Sequence, residues 1–329
     1  MSGPAATLLF STYNGAKTLP RMLDALVQQT LPRGQWKVIA VDNNSKDNTR
    51  AILDSYRDRL PLEIYSEVRQ GKENALALGF RHLDGDLFIL SDDDVIPEPD
   101  WIERFVRLAS EQPDFSIFGG LIEPAWEKQA EPWLLGLPAE YLGILYAMNG
   151  DVPEGPVPAG LIFGPNSAFR RAIVGTEYAV HDNLGPNAAV AQYPMGQDTA
   201  FALRLERQGA KAFHSRKPRL RHTVRANSMD RSWVLRRAER FGMGMVAIHP
   251  EFFNRKSKIA GLPATTALLW AAMTPVAWVL DRLPVSDSGL KQLWKQAVRQ
   301  GILKQLIANR PSGSALRQTG IVASEQEGR

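Results

Sequence analysis

The first 125 residues alternate between short apolar runs and amphipathic stretches of helical length, and this cadence constrains the fold more than any other feature. Residues 7–11, 37–41, 62–65 and 87–90 are apolar runs of strand length. Between them, residues 16–29 place Leu19, Leu23, Leu26 and Val27 at helical spacing, and residues 49–59 and 73–81 are further helices. Strand, helix, strand in this order predicts right-handed crossovers and an α/β fold with a Rossmann-like, mostly parallel sheet flanked by helices. In such sheets ligands collect at the carboxyl ends of the strands. Here those ends carry Asn14-Gly15, Asp42 and the triplet Asp92-Asp93-Asp94.

A helix over residues 101–111 and a strand over 115–122 follow; residues 123–158, rich in Trp, Pro and Gly, predict a long irregular wall beside the site. Residues 198–209 read as a helix with Phe201, Leu203 and Leu205 on its apolar positions. The chain divides into residues 1–125 and 126–250, two halves of one domain, a helical extension over 251–311, and a tail over 312–329 expected to be disordered.

With 44% hydrophobic and 22% charged residues in 329, the chain has the composition of a folded globular protein. It has no cysteine, which excludes a disulfide scaffold, thiolate catalysis and cysteine-ligated zinc or iron–sulfur sites. Five histidines leave metal chemistry to lean on carboxylates. The net charge of +4 is unevenly spread: residues 204–258 hold 15 Lys and Arg against four acids, a local +11 that leaves −7 for the rest. Such a field suits an anionic ligand or surface.

Residues 1–6 lack a basic region and the apolar run after them is short, so no secretory signal is expected. Residues 259–280 form a 22-residue uncharged run flanked by Lys258 and Arg282. Three readings stay open for it: interfacial membrane attachment, packing against the catalytic domain or a partner subunit, and a true span. Pro263, Pro275 and three threonines weigh against spanning. Residues 290–307 predict an amphipathic surface helix whose polar face carries Lys291, Lys295, Arg299 and Lys304.

Three adjacent carboxylates directly after a buried strand repel one another strongly unless a cation is present. Hard divalent ions take oxygen ligands, so the triplet points to Mg²⁺ or Mn²⁺; the alternative is a solvated acidic turn before Pro97.

Taken together, several motifs resemble the family-2 glycosyltransferases, inverting enzymes of the GT-A fold that use nucleotide-diphosphate sugars. The matching pieces are Ser11-Thr12-Tyr13-Asn14, the run from Val41-Asp42-Asn43-Asn44 to Thr49, Asp92-Asp93-Asp94, Gly164-Pro165-Asn166-Ser167 and Gly196-Gln197-Asp198, and the likeness extends to about Gly244. The resemblance implies that Thr12, Tyr13, Asn14, Asp42 and Asn44 line the nucleoside side, with Arg69 as a phosphate contact and Asp92 and Asp93 toward the donor. It further implies that Asp94, and on an even reading His222, hold a divalent metal (Mn²⁺ or Mg²⁺). Asp198 corresponds to the general base, its alternative being an N-cap for the helix that follows. Gly164, Asn166 and Gln197 fall at the acceptor and donor-sugar pocket, and Arg225 and Arg231 on the segment that meets the diphosphate. Three positions depart from the family pattern: Asn43 replaces a frequent second acid, Gln197 the acid before the base, and Ala77 a common Asn.

The expected activity is metal-assisted, single-displacement transfer of a sugar, with a UDP-sugar favoured, to a hydroxyl of a glycan or lipid-linked acceptor in surface or exopolysaccharide synthesis. The expected location is the cytoplasm, peripherally on the inner face of the membrane through residues 259–310, with a homo-oligomer as one arrangement. A processive synthase is disfavoured by the lack of a Gln-x-x-Arg-Trp motif. A sugar nucleotidyltransferase would need a basic Gly-rich loop where Tyr13-Asn14-Gly15 stands. A non-catalytic nucleotide-sugar or glycan-binding protein is the rival from another class. Nucleic acid is not an expected partner, because no known module accompanies the basic segment.

Overall fold

The computed structural model describes residues 3–175, 184–253, 258–259, 262–263 and 287–309. Most of the 259–280 run and the tail over 312–329 lie outside the described residues.

The elements run β1 (Ala6–Thr12), α1 (Leu19–Val27), β2 (Trp36–Asp42), α2 (Thr49–Ser55), β3 (Leu62–Ser66), α3 (Lys72–Phe80) and β4 (Leu87–Ser91). Then come β5 (Val95–Pro97), α4 (Trp101–Glu111), β6 (Ile117–Trp126), α5 (Pro132–Leu135), α6 (Ala139–Tyr146), β7 (Gly155–Val157), β8 (Ser167–Arg170) and α7 (Arg171–Val174). The chain continues through α8 (Gln197–Arg207), β9 (Ala212–Val224), α9 (Arg231–Ile248), α10 (Pro250–Phe253), the two-residue strands β10 (Lys258–Ile259) and β11 (Leu262–Pro263), and α11 (Asp287–Ala308).

The main sheet has the order β3-β2-β1-β4-β8-β6-β9-β5, with β7 also on β9. Strands β3, β2, β1 and β4 are mutually parallel, as the alternation predicts; β8 is antiparallel to β4 and β6, and β6 returns to a parallel pairing with β9. The chain leaves β1 toward β2 and β3, then crosses back to place β4 on the other flank of β1. That reversal is the topological switch point at which a parallel sheet opens a crevice.

Both faces of the sheet are covered, which is why the central positions of β1, β2 and β4 are continuously apolar. Leu8, Phe10, Val38, Ala40 and Ile89 meet α1 and α4 through Leu19, Leu23, Leu26, Trp101 and Phe105. The intervening Leu9, Ile39, Val41, Phe88 and Leu90 meet α3 and α8 through Leu76, Phe80, Phe201 and Leu205. Burial of α1 at Leu19, Met22, Leu23 and Leu26 is the helical stripe expected from its spacing.

One expectation is corrected, and two features go beyond the sequence reading. Residues 123–158 are not an irregular wall: β6 continues to Trp126, and α5, α6 and β7 follow. The Trp and Tyr residues there are packing groups, with Tyr146 stacked on Trp233 at 5.7 Å between ring centroids and Tyr141 on Trp294 at 4.6 Å. The 13-residue strand β9 has no counterpart in the sequence reading, because Arg216, Lys217, Arg219 and Arg221 face solvent and break its apolar run. Finally, the apolar stripe of α11 packs against the domain, one of the arrangements left open for this segment. Leu290, Leu293, Trp294 and Ala297 are buried, three of them in a cluster with Val234 and Ala238 of α9 and Tyr146 of α6.

The two helices approach to backbone contact. A Cβ on Gly242 would lie 2.0 Å from the Val298 carbonyl oxygen, and one on Gly301 1.9 Å from that of Glu239. On its other side α9 is fixed to the segment before α8, where the Met195 amide donates to the Arg240 carbonyl at 3.1 Å. Among the described residues no helix is long and apolar enough to cross a membrane.

Candidate active site

The register of the central strands assembles the acidic residues. Phe10 lies opposite Ser91, so the ends of β1 and β4 emerge at one level, and the Thr12 hydroxyl donates to Asp93 Oδ2 at 2.5 Å. Antiparallel pairing of β5 with β9 sets Val95 opposite His222, and the Thr223 amide donates to the Asp94 carbonyl at 2.9 Å. That ladder brings a histidine 128 positions away in sequence to the acidic turn: His222 Nε2 is 3.2 Å from Asp94 Oδ1.

His222 Nδ1 lies 2.7 Å from the Tyr146 carbonyl oxygen, a partner that only an N–H can satisfy, so Nε2 is the nitrogen aimed at Asp94. Asp92, Asp94 and His222 can each offer one ligand atom, all within 4.8 Å of one another. Two carboxylate oxygens and one imidazole nitrogen, the latter oriented from behind by a carbonyl, form a donor set that fits Mn²⁺ or Mg²⁺.

The electrostatics are those of a crowded buried cluster. Burial, reinforced by the neighbouring Asp94, pushes the Asp93 carboxyl up to about 7. Burial also works against the Asp94 carboxylate, but His222 and Arg225 beside it outweigh this and hold it below the ordinary range. For His222, burial opposes the charged ring while Asp94 favours it, and the ring ends above its usual value. Arg225 Nη2 stands 3.5 Å from Asp94 Oδ2, on the rim of the same cluster.

Asp198 comes from the first turn of α8. The cap of that helix is Gly196, in the left-handed region at φ 105°, and it makes no side-chain cap bond. The capping alternative for Asp198 therefore fails. The side chain lies against Gly164, where a Cβ would sit 2.2 Å from Asp198 Oδ2. Gln197 Nε2 is 3.4 Å from the same oxygen, while Oδ1 is shielded and has no hydrogen-bond partner. A carboxylate so poorly solvated is a stronger base than one in water: burial raises its pKa despite the opposing charge of Lys72.

Lys72, at the start of α3, is a member of the buried charged cluster that sequence reasoning missed. Its Nζ is 2.6 Å from Asp92 Oδ1 and 3.6 Å from Asp198 Oδ2, and its side chain is 11% exposed. A lysine at a helix start reads as solvated, and nothing local signals that two distant aspartates converge on it.

Tyr13 is exposed at the end of β1. Asp42 is buried and accepts from the Ser45 amide at 3.0 Å. Asn14 and Asn44 adopt positive φ, 51° and 63°, and the Asn14 side chain accepts from the Lys46 amide at 2.8 Å, shaping the turn. Arg69 is paired with Glu67 at 3.2 Å, and Arg231 stacks over Trp133 at 5.3 Å from the ring centroid.

Two asparagines prove to be structural knots. Asn43, which departs from the family's acid, donates to the Glu67 and Arg69 carbonyls and accepts from the Gly71 amide. Asn166, expected in the sugar pocket, is 1% exposed. It accepts from the Trp101 indole at 2.7 Å and donates to the Leu121 and Pro218 carbonyls. Its amide is spent on holding the 164–167 turn to β6 and β9, so it is placed in the foundation of the site rather than in the pocket.

The family model described as "Glycosyl transferase family 2" matches residues 7–174, half of the chain. Glycosyltransferase AglE of Haloferax volcanii is 30% identical over 123 residues, 36% of this chain and 40% of that protein. A Methanococcus voltae dolichyl N-acetyl-alpha-D-glucosaminyl phosphate 3-beta-D-2,3-diacetamido-2,3-dideoxy-beta-D-glucuronosyltransferase is 22% identical over 63% of each chain. The chain thus spans less than two thirds of the length of these curated relatives. Among solved structures, the mannosyltransferase PcManGT from Pyrobaculum calidifontis, in complex with GDP-Man and Mn²⁺, superposes with a TM-score of 0.55 at 18% identity, covering 98% of this chain and 81% of that one. S. aureus TarS 1-349 in complex with UDP-GlcNAc gives 0.55 at 15% identity, covering 97% and 92%. These likenesses show the GT-A fold.

Proposed function

Because the chain belongs to glycosyl transferase family 2, we propose that it is an inverting transferase that moves a sugar from a nucleotide-diphosphate sugar to a hydroxyl of a glycan or lipid-linked acceptor. The observation that carries this reading is the convergence of Asp92, Asp94 and His222 with Asp198 at the switch point of the sheet, the two groups joined through Lys72. Asp92, Asp94 and His222 would hold a divalent ion, Mn²⁺ suiting the imidazole better than Mg²⁺. Such an ion supplies neutralisation of the charge that develops on the departing nucleoside diphosphate.

The chain's own residues do the rest. Thr12, Tyr13, Asn14, Asp42 and Asn44 shape the nucleoside side of the crevice, and Arg225 with Arg231 adds positive charge for the diphosphate. Asp198 takes the proton from the acceptor hydroxyl as its oxygen attacks the anomeric carbon. Gly164 leaves room for that carboxylate, and one in-line displacement inverts the anomeric centre. A UDP-sugar is the favoured donor, supported by the TarS likeness, although the likeness to PcManGT sets GDP-mannose beside it. The Methanococcus relative, named for a dolichyl-linked substrate, supports a lipid-linked acceptor. The enzyme works peripherally on the inner face of the membrane, where Lys291, Lys295 and Arg299 of α11 face outward to anionic lipid.

The test is a panel of nucleotide-diphosphate sugars with Mn²⁺, monitored by release of nucleoside diphosphate, on wild type and Asp198→Asn. Turnover that falls about 10²- to 10⁴-fold in the variant supports the reading. Tight donor binding with no release from any sugar favours the non-catalytic alternative.

A further inference from the structure

Asp92 and Asp198 come from different halves of the domain, the end of β4 and the start of α8, and share no backbone hydrogen bond among the described residues. What joins them is one side chain. Lys72 places its ammonium 2.6 Å from Asp92 Oδ1 and 3.6 Å from Asp198 Oδ2.

The lysine is itself anchored at both ends of this span. Gly71 before it has φ 128°, a conformation that admits glycine with little strain, and its amide donates to Asn43 Oδ1 at 2.8 Å, tying α3 to the end of β2. The Lys72 amide donates to the Pro186 carbonyl at 2.8 Å, tying the same helix start to the segment that leads into α8. A flexible four-carbon stem thereby emerges from a backbone fixed to both halves.

Asp198 depends on this. Its Oδ1 has no hydrogen-bond partner, and Oδ2 otherwise meets only the weak 3.4 Å contact from Gln197. A carboxylate held by so few donors turns freely about its last torsion unless a charge fixes it. In-line transfer requires that the base point at an acceptor oxygen which in turn points at the donor's anomeric carbon, and misplacement by an ångström costs about 10²-fold in rate.

We propose that Lys72 is a positioning residue for transfer: its ammonium ties the Asp198 carboxylate to the Asp92 side of the site, so that base and donor share one frame. This rests on the reading of Asp198 as the base. It adds a residue from α3 that neither the acidic motifs nor the fold likeness assigns.

The experiment compares wild type, Lys72→Met, Lys72→Arg, Asp198→Asn and the double variant Lys72→Met/Asp198→Asn, using UDP-GlcNAc and GDP-mannose with Mn²⁺ and measuring kcat and KM separately. Lys72→Met should lower kcat by about 10²-fold while the donor KM moves less than about threefold. Lys72→Arg, which keeps the charge, should recover part of the rate. The double variant should be no slower than Asp198→Asn alone, since a residue acting through the base has nothing left to act on.

A wild-type rate in Lys72→Met beside a slow Asp198→Asn overturns the Lys72 proposal and leaves the base assignment standing. A wild-type rate in Asp198→Asn overturns the base assignment and the proposal with it. Strictly multiplicative losses in the double variant overturn positioning through Asp198. If neither donor is turned over, crystal structures of wild type and Lys72→Met decide: an Asp198 carboxylate that leaves Gly164 in the variant supports the proposal, and one that stays overturns it. Thermal unfolding of Lys72→Met separates loss of positioning from loss of the fold: a Tm well above the assay temperature with a slow kcat supports positioning, and a variant unfolded at the assay temperature hands the decision to the partial recovery in Lys72→Arg, whose absence overturns the proposal.

Discussion

Replacing Asn166 by alanine distinguishes a pocket residue from a foundation residue. The side chain is 1% exposed and makes three hydrogen bonds, so truncation strands the Trp101 indole N–H and two main-chain carbonyls in the interior. An abandoned buried donor or acceptor costs about 1–3 kcal/mol. Counting roughly 2 for the indole and roughly 1 for each carbonyl gives about 4 kcal/mol. That is a large fraction of the 5–15 kcal/mol on which a domain stands, and corresponds to a drop of about 10 °C in Tm. Asn166→Asp keeps the acceptor for Trp101 but turns an oxygen toward two carbonyls, so it should be at least as damaging. Thermal and urea unfolding check both variants, with donor KM measured well below the lowered Tm. A loss under about 1 kcal/mol together with a raised donor KM would refute the structural assignment and return Asn166 to the pocket.

Three further outcomes are expected. His222→Ala should weaken Mn²⁺ binding by about 10²-fold, read by calorimetry in the presence of UDP, whereas unchanged affinity removes the imidazole from the donor set. The Asp93 carboxyl is raised to about 7 in the folded protein, so between pH 4 and 7 the folded state binds more protons than the unfolded chain. Stability in chelator should therefore fall as pH rises through that window, and Asp93→Asn should flatten the slope; an equal slope in the variant refutes the assignment. Reversing Lys291, Lys295 and Arg299 to glutamate should release the protein from vesicles of phosphatidylcholine with 30% phosphatidylglycerol, since each basic residue contributes about 1 kcal/mol at an anionic surface; equal partitioning rules this face out.

The N-terminal half was legible because its physics is local. Apolar runs with period 2 or none, helices with period 3.6 and polar strand ends sufficed to place β1 to β4, and their polar ends marked the crevice. The other half depends on pairings the sequence does not display. β9 hides because Arg219 and Arg221 face solvent beside buried Leu220. Residues 123–158 look irregular because the same Trp and Tyr that fill loops can also cement helices. Periodicity identifies α11 as amphipathic but says nothing of what covers its apolar stripe, and α9 does so. At the site itself, the acids and His222 followed from motifs, whereas Lys72 followed from nothing nearby: its two partners lie 20 and 126 positions away. Asn166 shows the opposite error, a motif residue whose amide is consumed by an indole 65 positions earlier.

The backbone contact between α9 and α11 links a distant helix to the segment that leads into α8. α11 presses on Gly242 of α9, and α9 in turn grips Met195 through the Arg240 carbonyl, three residues before Asp198. A chain cut at residue 250 would leave Tyr141 without its stacked Trp294 and α9 without its brace. Whatever binds α11 from outside would therefore bear, through α9, on the segment that carries Asp198 into α8.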